Sequence, residues 1–164
     1  MENKEQNFKQ VYEALKDKIY RLCLGFMGNK TDADDLFQEV LIKVWKNIEN
    51  FRTESNINTW VYKITVNTAL FTINRKKKLN KKITDFKAIE NSAEINNVDT
   101  RVNEQKIKRL YEAISTLKEI DRIIIGLLLE ECSYAQISNI TGISISNVGV
   151  RICRIKKTLN KTLK

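Results

Sequence analysis

Apolar side chains recur every three to four positions over long stretches of this chain, and short polar or glycine-bearing breaks separate the stretches. Phe8, Val11, Tyr12, Leu15, Ile19, Leu22, Cys23 and Phe26 lie on one face of a helix, which Gly28-Asn29 ends. Ala33, Leu36, Phe37, Val40, Leu41, Val44, Trp45 and Ile48 predict a second helix, and Thr31 three residues before Asp34 gives it a start resembling a capping box. Ser55 is placed to cap a third, with Ile57, Trp60, Val61, Ile64, Thr68 and Phe71 inward. The run Arg75-Lys76-Lys77-Lys78 falls towards its end, where cations suit the negative pole of the helix.

The periodicity fails from about Leu79 to Asn103, where Ile83, Phe86 and Ile89 could form at most a single turn. This segment reads as a flexible linker between two packed units. Beyond it, Ile107, Leu110, Tyr111, Ile114 and Leu117 mark one helix, and Ile120, Ile123, Ile124, Leu127 and Leu128 another. Ser133 then caps a short helix, Gly142 interrupts it, and Ser144 caps a longer one with Ile145, Val148, Ile152, Ile155 and Leu159 inward. The predicted fold is all-α. Two small helical domains, 1–80 and 105–164, are joined by a linker over 81–104, and the C-terminal one holds a helix-turn-helix.

Composition narrows the chemistry. The 164 residues include no His, so the commonest general base and metal ligand are absent. There is no Pro and only five Gly occur, which suits helices better than a turn-rich β fold. Cys23, Cys132 and Cys153 are far apart and form no CxxC pair, so they read as reduced, buried thiols rather than a disulfide or zinc framework. No apolar run is long enough to span a membrane and the N-terminus lacks a secretory h-region, so the expectation is a cytoplasmic protein.

The net charge is +9, and it is uneven. Residues 1–50 carry 8 basic and 9 acidic side chains, 51–100 carry 9 and 5, and 101–164 carry 12 and 6. A positive middle and C-terminus points to a polyanionic partner. The second predicted helix of the helix-turn-helix fits that partner. Ser146, Asn147, Gly149, Val150, Arg151, Cys153, Arg154 and Lys157 occupy its outer face, and the chain from Arg151 onward has six basic residues and no acid. Arg can bridge guanine or clamp phosphate, and Asn can pair with adenine.

In the first unit Asp32, Asp34, Asp35, Gln38 and Glu39 form an acidic outer face. Such acids stabilise a helix N-terminus, could ligate a hard cation through Asp32, Asp35 and Glu39, or could dock a protein partner. A cation site would need a second carboxylate motif on a facing helix, for which Glu49 and Glu54 are weak candidates. On the third helix Phe51, Trp60, Tyr62 and Phe71 are interleaved with Arg52, Lys63, Asn67, Arg75 and Lys76, a mixture suited to single-stranded nucleic acid. Taken singly, Trp60 and Phe71 read as core.

Together these segments resemble a known family. DADDLFQEVLIKVWKNIENFRTESNINTWVYKITVNTALFTINRKKK resembles region 2 of bacterial RNA polymerase sigma factors, and AISTLKEIDRIIIGLLLEECSYAQISNITGISISNVGVRICRIKK resembles region 4. Their order and short linker are similar to the extracytoplasmic-function (ECF) group. The resemblance implies that Asp35, Gln38 and Glu39 dock on the β′ clamp helices of core RNA polymerase, with the β flap as a further contact. It implies that the loop Phe51–Asn58, including Arg52, Ser55 and Asn56, holds a base flipped from the −10 element, and that Trp60, Lys63 and Asn67 engage the same element. Asn147, Val150, Arg151, Arg154 and Lys157 would read the −35 element as duplex. An anti-sigma factor is a further implied partner; no catalytic residue, metal, cofactor or membrane insertion is implied.

The chain departs from the family pattern at Phe71 and Asn74, where an acid and a basic residue are common. It departs again at Gly149 and Val150, where a basic residue and Ser are usual, and at Lys118, which replaces a frequent Pro. Two rival readings carry less of the sequence. A stand-alone helix-turn-helix regulator would need a self-complementary N-terminal surface, and a helical metal-dependent hydrolase would need the missing second acidic motif.

Overall fold

The computed structural model describes residues 2–82 and 101–164, all-α with no strand among them. The described helices are α1 (Glu2–Met27), α2 (Lys30–Asn47), a 3-10 turn at Ile48–Asn50, α3 (Ile57–Lys82), α4 (Arg101–Ser115), α5 (Glu119–Leu129), α6 (Tyr134–Thr141) and α7 (Ile145–Leu163). The linker expectation falls largely on residues 83–100, outside the described residues, as does the single turn at Ile83, Phe86 and Ile89. At both ends helix enters the segment read as linker, since α3 runs to Lys82 and α4 starts at Arg101.

The periodic stripes are the buried faces. Leu15, Ile19, Leu22, Cys23 and Phe26 of α1 meet Ala33, Leu36, Val40 and Val44 of α2 and Val61, Val66 and Ala69 of α3. Thr65, Thr68 and Thr72 complete the inner side of α3, and the hydroxyls of Thr65 and Thr68 donate to the carbonyls of Val61 and Ile64 at 2.9 and 2.7 Å. That bond satisfies a polar group inside an apolar layer. Ile123, Ile124 and Leu127 of α5 pack with Ile137 and Ile140 of α6 and Val148, Ile152 and Ile155 of α7.

These two sets of helices share one core. α1 touches α4 and α5, and α3 touches α6. Phe26, 0% exposed, lies so near Gly126 that a Cβ there would sit 3.0 Å from its ring, which makes glycine the residue that admits the approach. Arg21 donates to both carboxylate oxygens of Glu130 at 2.6 and 2.9 Å, and Lys77 pairs with Glu119 at 2.6 Å.

Several local expectations change. Gly28 adopts φ +79° and its N–H donates to the Leu24 carbonyl, so the chain turns early and Asn29, two residues before Thr31, caps α2 by accepting from the Asp32 N–H. At α3 the cap is Asn56 rather than Ser55, its side chain accepting from the Asn58 N–H at 2.9 Å. Phe71 is 61% exposed, because Thr72 and Ile73 occupy the inward positions of that turn. Ile107 is 54% exposed, since the first half of α4 lies beyond the helices that cover Ala113 and Ile114. Cys23 and Cys132 are buried, with thiols pushed up to about 12 and about 11 by burial, whereas Cys153 is exposed on α7.

Candidate nucleic-acid interface

The acidic residues of α2 divide into two groups. Asp32 accepts from Asn29 at 2.9 Å and pairs with Lys76 of α3. Burial alone would raise its pKa, but these two partners outweigh it and hold the carboxyl below its ordinary value. Asp34 accepts from the Tyr20 hydroxyl at 2.8 Å; burial first, then this carboxylate, pushes the phenol up to about 12. Both acids tie helices together. Asp35 and Gln38 are exposed and have no side-chain hydrogen bond or ion pair among the described residues, while Glu39 is half-buried and pairs with Lys43 at 3.3 Å. Ile42, 53% exposed, continues the same face. Among the described residues no cluster of three acidic or thiol side chains could hold a metal ion, so Asp32, Asp35 and Glu39 do not converge.

α3 has the opposite character. It carries seven basic residues and no acid. Phe51 and Trp60, both half-buried, pack with ring centroids 5.3 Å apart and planes tilted by 53°. Arg52, Ser55 and Asn56 are exposed before the helix, and Lys63 and Asn67 are exposed along it. A cavity of about 590 Å³ opens beside Phe51, with Thr53, Ile57 and Asn58 on one side and Asn7 and Gln10 of α1 on the other. Sequence reading missed the α1 wall. Its only signal was that Asn7 and Gln10 fall off the apolar stripe of that helix.

The helix-turn-helix matches its capping signals, but Ile145, read as inward, is 54% exposed, because it lies in the first turn of α7 ahead of the buried Val148. Ser133 Oγ accepts from the Gln136 N–H at 3.1 Å while the Ser133 N–H donates to Gln136 Oε1 at 2.8 Å, a complete capping box. Gly142 takes φ +77° and its N–H donates to Ser138 at 2.8 Å; Ser144 then caps α7 through the Asn147 N–H. Asn147, Val150, Arg154 and Lys157 are exposed on one side of α7. Arg151 differs from them. It is half-buried, and its Nη1 donates to Asp121 of α5 at 2.7 Å. Among the described residues Asn147, Arg154 and Lys157 thus keep unpaired donors on either side of the apolar Val150, and one arginine is anchored beside them.

The family model for sigma-70 region 2 matches residues 11–79 and that for sigma-70 region 4 matches 107–159. The chain is 29% identical to the ECF RNA polymerase sigma factor SigW of Bacillus subtilis over 96% of this chain and 89% of that protein. It is 30% identical to the RNA polymerase sigma factor SigV of the same organism, over 88% of this chain and 83% of that one. Among solved structures, the fold is similar to that of the sigma factor RpoE in complex with the anti-sigma factor NepR from Bartonella quintana. The TM-score is 0.78 and the identity 20%, over 96% of this chain and 97% of that one. CnrH in complex with the cytosolic domain of CnrY gives a TM-score of 0.68 at 18% identity, over 97% and 88%. With both regions matched in order, and relatives aligned over nearly the whole chain, the protein belongs to the ECF group of RNA polymerase sigma factors.

Proposed function

We propose that this chain docks on core RNA polymerase through Asp35, Gln38 and Glu39 and directs initiation by engaging two promoter elements with different surfaces. Family membership carries the coarse statement that it is a promoter-specificity factor acting with RNA polymerase. The finer assignment rests on one observation. An exposed acidic face on α2, left over after Asp32 and Asp34 are used internally, stands next to an acid-free α3 that leads away from a cavity lined in part by Phe51.

An acidic patch on a basic protein repels DNA and suits a protein partner, here the β′ clamp helices. The cavity beside Phe51, whose ring packs on Trp60, suits with the loop Phe51–Asn58 a base flipped from the −10 element, and Lys63 and Asn67 follow the strand from there. Helix α7 fits a major groove, with Asn147, Val150, Arg154 and Lys157 facing the −35 duplex and Arg151 held in register by Asp121. The β flap would support the helices after residue 104. RpoE and CnrH are seen with anti-sigma factors, and an anti-sigma partner is proposed here by that analogy. Residues 1–80 and 105–164 would act as the two promoter-facing domains of a cytoplasmic, non-catalytic factor.

The combined change Gln38→Lys and Glu39→Lys tests the docking assignment. It is expected to abolish binding to core RNA polymerase while leaving the helical circular dichroism unchanged. Retained binding would reject the acidic face as the docking site. Strong sequence-specific duplex binding as a dimer, with none to polymerase, would instead favour a stand-alone regulator.

A further inference from the structure

Arg151 stands at the margin of the exposed face of α7. At 100° per residue Asn147, Val150, Arg154 and Lys157 fall within an arc of about 80°, and Val148, Ile152, Ile155 and Leu159 fill the buried side. Arg151 lies between the two, about 40° beyond Asn147 and about 40° short of Ile155. From there its side chain meets α5, where Nη1 donates to Asp121 Oδ1 at 2.7 Å. Its Nε is buried and has no hydrogen-bond partner among the described residues. Asp121 is itself fixed, since it sits in the first turn of α5 and its N–H donates to the Lys118 carbonyl at 2.9 Å. The other acid of that turn, Glu119, is occupied by Lys77.

A guanidinium is a rigid planar fork, and reading guanine needs two adjacent N–H groups aimed at O6 and N7 together. In Arg151 one arm is taken by Asp121 and Nε is shut off from solvent, so Nη2 is the group left clear of both restraints. Such a lone arm suits a phosphate oxygen and does not supply the paired edge that a base requires. We infer that Asp121 is a positioning residue that sets specificity: by holding one arm of Arg151 it bars this side chain from pairing with a base and confines it to the phosphate backbone. Base reading on the −35 duplex then falls to Asn147, Val150 and Arg154. The carboxylate also offsets the charge of Arg151, so the pair attracts DNA less than a free arginine would.

This inference rests on the promoter reading above. Its test uses holoenzyme assembled from core RNA polymerase and the full chain, offered duplexes randomised across the −35 region beside a fixed −10 region. Asp121→Ala frees the fork. It should add a preference for guanine of about tenfold at one position where wild type has none, the worth of one bidentate pair. It should also steepen the fall of log affinity with log salt by about 0.9, the share of one further neutralised phosphate. Asp121→Asn still accepts from Nη1 and should keep wild-type selectivity. Arg151→Ala should weaken all sequences about equally, and combined with Asp121→Ala it should erase the new preference. If Asp121 only packs α5 on α7, Asp121→Ala weakens binding without creating a preference, and that result overturns the proposal. So does an Arg151→Ala protein that loses preference at a single base pair, because Arg151 would then already read a base. Should Asp121→Ala lose helical circular dichroism, the Arg151→Ala pattern decides by itself. If the wild-type chain binds polymerase yet selects no −35 sequence, the promoter reading fails. If it selects one and these variants behave otherwise than stated, only the role of Asp121 fails.

Discussion

The helices before residue 83 and those after residue 100 reach their exposed polar faces by different routes. In the later set, the exposed donors of α7 are aimed by local devices: the capping box at Ser133, the left-handed Gly142 and the cap at Ser144. Each acts within a few residues of itself. In the earlier set the useful face of α2 is defined by subtraction, because Asp32 and Asp34 are taken up by Lys76 and Tyr20 from other helices. Local signals place a surface when the partner groups are close in sequence; long-range pairing decides it when they are not. The contrast holds for surfaces and not for cores, since α1, α3, α4, α5 and α6 meet in one apolar cluster.

That shared core gives the largest expected effect. Phe26→Ala empties the space between α1 and Gly126 and should cost about 3–5 kcal/mol. If the two sets of helices unfold as one body, a thermal melt read by circular dichroism shows a single transition moved down as a whole. Two separate transitions, with only one displaced, would break the picture of a common core. A smaller loss is expected for Arg21→Ala, which leaves the Glu130 carboxylate, 7% exposed, without its bidentate partner. Because Arg21 is itself half-exposed, the cost should be about 1–2 kcal/mol, measured by urea unfolding. The exposed acidic face of α2 should be unaffected.

The smallest effect separates two adjacent lysines. Lys76 holds Asp32 within the first set of helices, while Lys77 reaches across to Glu119. The Lys77 hydrogen bond, with backbone support, keeps the Glu119 carboxyl below its ordinary value, and Asn29 and Lys76 do the same for Asp32 against burial. Both carboxyls therefore bind protons more readily when unfolded. Their contribution is present above the unfolded pKa, about 4 for a carboxylate, and is lost as the pH falls through the lower folded values. Melting temperature should decline with acidification below about pH 5, and Asp32→Asn or Glu119→Gln should each flatten part of that decline. A slope unchanged in Glu119→Gln would mean that the bridge between the two sets contributes nothing.

The fold was largely legible because helical period and burial are the same signal: Leu36, Val40 and Val44, or Val148, Ile152 and Ile155, face inward as their spacing requires. Residue type also located the exposed acidic positions of α2 and the basic outer side of α7. It failed where two positions of similar character compete for one role. Asn29 displaced Thr31 and Asn56 displaced Ser55 because the backbone entering each helix, not the side-chain type, selects the cap. Phe71 was misplaced because hydrophobicity argues for burial, while three buried threonines already line the inner side of α3.

By itself, the sequence determined the helical class, the faces that bury, the helix-turn-helix and the basic bias of the later two-thirds, since each depends on residue order over a few turns. Only the tertiary structure decided which acids of α2 remain free, that Arg151 is held by Asp121, and that Asn7 and Gln10 of α1 wall the cavity by Phe51. It alone showed Phe71 exposed. These are relations between side chains on different helices. Their distances are set by how the helices pack, which no local period records.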